Sequence, residues 1–183
     1  MRSKHAYQKM TNMNIVYKHI FRFVVFTFLQ ALVFNQLNIG FGIHLMIQPL
    51  YIMLLPFELT VIPLMSIAFL MGLVIDIFSN TYGLNTSALV LMAYLRPIVF
   101  KLYGPREGYD PLKEPTSQDM GSGWFSVVYG ILLALHSFWF FLLEIFELGR
   151  FGFILQKTIL SGGLSFLLAL LVQSFILNRK QKK

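Results

Sequence analysis

Apolar positions in this chain fall into long blocks separated by short polar breaks. A helix needs about 20 apolar residues to cross a hydrocarbon layer, and the blocks have that scale. The first covers residues 20–37, with Arg22 near its start, where it can snorkel back to headgroups. Residues 39–78 are too many for one crossing and break at Pro56-Phe57-Glu58-Leu59-Thr60, where a proline and a charge coincide. This predicts a second span over 41–55 and a third over 61–78. The second is short and holds His44, Gln48 and Pro49. Residues 79–86 form a polar turn around Gly83, suited to a hairpin. A fourth span follows over 87–102, kinked or broken near Pro97. Residues 103–123, with Pro105, Pro111 and Pro115, predict a loop with at most a brief ordered turn. Fifth and sixth spans cover 124–146 and 153–177. The expected fold is an all-α membrane protein, one six-transmembrane-helix bundle over residues 1–183.

Composition agrees with this pattern. Of 183 residues, 56% are hydrophobic and only 13% charged, whereas a soluble domain carries roughly a quarter charged residues. The basic start and the apolar run 23–34 imitate a signal peptide. Asn35 and Gln36 follow instead of a small-residue cleavage site, so a retained first span is expected. The net charge of +7 is concentrated at the ends, with Arg2, Lys4, Lys9, Lys18 and Arg22 in front and Arg179, Lys180, Lys182 and Lys183 behind. Such clusters anchor on an anionic cytoplasmic leaflet. No basic stripe with interleaved aromatics accompanies them, so nucleic acid is not an expected partner. With Lys101, Arg106 and Lys113 they make twelve of the fifteen basic residues, all on one side of a six-span layout. Residues 1–19, 103–123 and 178–183 are therefore expected in the cytoplasm. Two basic ends on one face require an even number of crossings.

Small residues at four-residue spacing mark packing ridges: Ala68, Gly72 and Asp76; Ser126, Gly130 and Ala134; Ser161, Ser165 and Ala169. A carboxylate on such a ridge marks a functional position unless it only ends the helix at the interface. Both readings stand for Asp76. Arg96 precedes Pro97 within the fourth span. At 1.5 Å per residue it lies roughly 15 Å below the turn, against roughly 5 Å for Asp76. It either reaches toward Asp76 or serves carbonyls freed by Pro97. Glu144, Glu147, Arg150 and Lys157 bracket the last turn as a structural clasp.

Catalytic signatures are missing. The sequence has no cysteine, no nucleophile elbow, no His-Glu-x-x-His and no phosphate-binding loop. His44 and His136 lack the further ligands that a zinc site needs. No catalytic, cofactor or metal residue is expected, and no enzyme activity.

Gly72-Leu73-Val74-Ile75-Asp76-Ile77-Phe78-Ser79, then Tyr82-Gly83-Leu84-Asn85 and Tyr94-Leu95-Arg96-Pro97, resemble the MreD family of the bacterial rod-shape (elongation) machinery. The likeness is close over residues 45–102 and topological elsewhere. It implies a non-enzymatic scaffold of the cell inner membrane, with a fold like the substrate-binding component of energy-coupling-factor transporters. Its implied partners are an MreC-like protein, MreB-like filaments, and a RodA-like peptidoglycan polymerase with its transpeptidase. Gly72, Asp76, Gly83, Arg96 and Pro97 are the implied packing or partner-binding residues. The alternative is a vitamin-binding subunit of such a transporter. Those subunits dock their energising module through small residues four apart in the first span, and residues 26–34 hold no such pair.

Overall fold

The computed structural model describes residues 16–37, 40, 42–105, 108–110 and 113–180. The expected basic positions Arg2, Lys4, Lys9, Arg106, Lys182 and Lys183 lie outside them. The described chain is helical, without strands. Five helices are long and apolar enough to cross a membrane: α1 (Val16–Gln36), α3 (Val61–Ser79), α4 (Leu84–Tyr103), α6 (Ser122–Ile145) and α7, whose apolar part is Phe151–Phe175. Between them lie the short helices α2 (Gln48–Met53) and α5 (Ser117–Met120) and a single 3-10 turn, Leu148–Arg150.

The predicted second span is not a helix of membrane length. Residues 43–47 are non-helical, and only then does α2 begin. Pro49 supplies the reason. A proline fits the first turn of a helix but not its interior, where its ring collides with the carbonyl four residues back. That carbonyl belongs to Leu45, and it accepts the Gln30 side chain at 2.9 Å instead. Residues 45–55 are nonetheless apolar apart from Gln48, and all but Leu45 are fully buried.

This segment runs from one end of the bundle to the other. Near its start, His44 meets Glu144 at the C-terminal end of α6. Near its finish, the Tyr51 hydroxyl donates to His19 O at 3.4 Å in the first turn of α1. Helix ends agree with this layout. Lys18 and Arg22 pair with Glu114 in the 103–121 connection, and the Ser117 hydroxyl donates to Gln173 near the end of α7 at 3.5 Å. The start of α1 and the end of α7 therefore share one end of the bundle. The broken segment leads back toward that end through the bundle core, between the Ser161 and Ser165 hydroxyls at its start and His19 at its finish.

Other boundaries follow the apolar blocks closely. α4 runs through Pro97 without a break, which leaves only the kink of the two expected outcomes. α1 widens into a π-type stretch over Leu29–Val33 and tightens over Phe34–Gln36, turning Gln30 inward. The loop contains α5, capped by the Thr116 hydroxyl accepting from Asp119 N. The core gathers Leu50, Ile52, Met71, Met92, Phe125 and Tyr129. Large apolar side chains such as Ile62, Ile77, Ile159 and Phe175 point outward instead.

Candidate functional site

The turn between α3 and α4 is built around one carboxylate. Asp76 is buried in the last turn of α3. Its Oδ1 accepts from Thr81 Oγ1 at 2.5 Å and from Asn85 N and Nδ2, both at 3.0 Å. Its Oδ2 accepts from Thr86 N at 2.9 Å and Thr86 Oγ1 at 2.6 Å. The first amides of a helix lack intrahelical partners and normally take a side-chain cap. Here the capping position is Gly83, whose φ of +92° suits glycine and which has no side chain to offer. Asp76 caps α4 from the neighbouring helix, and its negative charge complements the positive end of the α4 dipole.

Gly72 lets the two helices come close enough for this. A Cβ on Gly72 would stand 2.7 Å from Thr86 N, inside the backbone of α4. Only hydrogen fits. The small-residue ridge of α3 thus forms a working contact, with Ala68 and Asp76 buried beside it.

Arg96 and Asp76 do not pair. The Arg96 guanidinium, 2% exposed, lies at the C-terminal end of α2. It donates to Met53 O at 3.3 Å, Pro56 O at 3.4 Å and Leu55 O, and stacks over Phe100 at 4.4 Å. The carbonyls it serves are those left over where α2 ends, not those that Pro97 frees in α4. Both sequence alternatives are therefore corrected. Pro97 lies next to Arg96 in the wall of a cavity.

The backbone of the broken crossing has dedicated partners, none of which the sequence singled out for that role. Gln30 donates to Leu45 O and accepts from Ile47 N at 2.7 Å. Ser161 accepts from His44 N at 3.1 Å, and Ser165 from Met46 N at 2.9 Å. The ridge on α7 receives a non-helical stretch of backbone, where simple helix packing was expected. Non-helical backbone at membrane depth is tolerated only where protein supplies its hydrogen bonds. Gln48 joins this segment to the capped hairpin by donating to Asn85 Oδ1 at 3.1 Å.

No protein-family model, characterised protein or solved structure matches the chain.

The remaining ions form the expected clasp, with one addition. Lys157 reaches Glu144 at 2.7 Å, Arg150 reaches Glu147 at 2.8 Å, and His44 also meets Glu144 at 3.4 Å. Among the described residues no three His, Asp or Glu side chains converge to hold a metal ion. Outside the long helices, Tyr109 donates to Phe100 O at 2.6 Å and stacks on Phe57 at 4.3 Å. Burial pushes its phenol above the ordinary value, so it remains a donor.

The third ridge, Ser126, Gly130 and Ala134, does not pack inside the bundle. With Gly162 and Gly163 it lines a groove of 350 Å³ between α6 and α7.

Proposed function

We propose that this chain is a multi-pass membrane scaffold of the MreD type. It would lie in the bacterial inner membrane with both ends in the cytoplasm and hold an MreC-like protein, MreB-like filaments and a RodA-like polymerase with its transpeptidase. The observation that carries this reading is the use made of Gly72, Asp76 and Gly83. These residues bear the family resemblance, and in the fold they are the parts of a closed hairpin lock. All five hydrogen bonds to Asp76 come from the α3–α4 turn itself. Such a carboxylate sets helix geometry and is not offered to a substrate.

The positive-inside rule gives the orientation. Lys18, Arg22 and Lys101 lie at the end shared by α1, α7 and the 103–121 connection, the side to be assigned to the cytoplasm. The α6–α7 groove favours a partner's single span as the docked element, since small residues let a second helix come close. Nothing of this arrangement requires a reaction.

Groove substitution tests the reading. Gly163 has open space where a Cβ would be, and Gly130 meets only Phe166 at 3.9 Å. Both positions accept a Cβ, so Gly130→Leu and Gly163→Leu are the substitutions chosen to fill the groove, with unchanged melting as the check that the bundle is intact. Co-purification with an MreC-like partner should fall at unchanged membrane levels of the variant. Full complex yield would contradict the docking role. Ligand-dependent thermal stabilisation by a vitamin, with no partner retained, would support the transporter subunit instead.

A further inference from the structure

Arg96 is a buried cation whose charge the described structure leaves uncompensated. None of the ion pairs among the described residues includes it. A guanidinium has five N–H donors. Here the NH2 group serves three carbonyls, NH1 makes one long contact of 3.5 Å, and Nε has no partner. Carbonyl oxygens satisfy hydrogens but carry no net charge. A buried charge without an opposite one is costly.

Two cavities adjoin this charge. The first, 360 Å³, is lined by Arg96 together with Phe57, Phe100, Lys101 and Tyr109. Lys101, in the last turn of α4, lines the same cavity. The other is a groove of 410 Å³ between α1 and α3, with apolar walls that include Ile20, Phe23, Leu55, Ile67 and Leu70. Leu59 lines both. Pro56 lines the groove while its carbonyl accepts from Arg96. At the far end α1 and α3 are tied by Asn35 to Ser79 and by Phe28 against Phe78, whereas the groove lies at the basic end, beside Val16 and His19.

We infer that this pair of cavities binds one anionic phospholipid, with its phosphate at Arg96 and Lys101 and an acyl chain in the α1–α3 groove. Two cations answer the phosphate, and a greasy channel one residue away answers the chain. A lipid with an added positive headgroup group meets repulsion from Arg96 and Lys101, which sets the preference for net negative lipids. The site rests on the membrane reading but not on any partner. Flotation of the reconstituted chain with vesicles checks the membrane reading separately.

The test is lipid retention and thermal stability of the purified full chain in detergent. Phosphatidylglycerol should survive delipidation and raise the melting temperature, more than phosphatidylcholine, diacylglycerol or inorganic phosphate. Lys101→Gln, at an exposed position, should weaken phosphatidylglycerol retention about tenfold with lipid-free melting unchanged. Leu70→Trp should also weaken it, by filling the groove. Equal retention of phosphatidylglycerol and phosphatidylcholine would overturn the proposal, as would an unaffected Lys101→Gln. Inorganic phosphate acting as strongly as the lipid would overturn the lipid assignment. Glu107→Gln should leave the preference as it is. A preference that appears only in that variant would assign the counter-charge to the chain itself and overturn the proposal.

Discussion

Thr86 gives both its backbone amide and its hydroxyl to one oxygen of Asp76, at 2.9 and 2.6 Å, across the turn joining α3 to α4. The hydroxyl contact can be removed without disturbing the amide. Thr86→Val should therefore cost about 1 kcal/mol, the worth of one such bond. Asp76→Leu removes the acceptor for five donors and should cost about 2–4 kcal/mol. Asp76→Asn should fall between, because its amide end opposes donors. Melting of the three purified variants orders them, and equal melting temperatures would contradict the cap.

Close approach at Gly72 makes a second prediction. Gly72→Ala puts a methyl group against the Thr86 backbone and should destabilise the protein by about 1–3 kcal/mol. Gly130→Ala, with room around it, should be nearly neutral. A harmless Gly72→Ala would mean that the hairpin is looser than described.

Gln30 holds the broken crossing from both sides, at Leu45 O and Ile47 N. Gln30→Leu keeps the bulk and removes both bonds together with its bond to Asn35, leaving the buried Ile47 amide and the half-buried Leu45 carbonyl unsatisfied at about 1–3 kcal/mol each. Hydrogen exchange at the Ile47 amide should quicken about 100-fold, while amides in the middle of α3 should hardly change. Uniform acceleration throughout would instead report global destabilisation.

Lys157 is mostly buried and lies against Glu144 and the Phe141 ring. Removing one partner of such a pair costs more than removing both, because the survivor keeps its desolvation penalty. Glu144→Gln should thus be less stable than Glu144→Gln combined with Lys157→Met. A double variant no better than the single one would show that the pair is hydrated.

The long helices were legible because a crossing helix must be apolar over its whole length, and residues 61–78, 124–146 and 153–177 state that plainly. The hairpin was legible too, through Gly72, Asp76 and Gly83. The broken segment was hidden because an apolar run looks the same whether or not it is helical. What distinguishes it is the position of Pro49 and the polar groups set opposite its backbone. Gln30, Ser161 and Ser165 are far away in sequence, so their role depends on tertiary placement. Arg96 was visible as an isolated charge, but its acceptors come from the end of a helix that the apolar pattern did not delimit.

Single-cysteine labelling reaches the central point most directly, because the chain has no native cysteine to remove. Leu37 and Glu58 flank the broken segment and are both exposed. With a membrane-impermeant maleimide applied to intact spheroplasts, Leu37→Cys should label from outside and Glu58→Cys only after the membrane is opened. Labelling of both positions from the same side would contradict a sixth pass through the bundle.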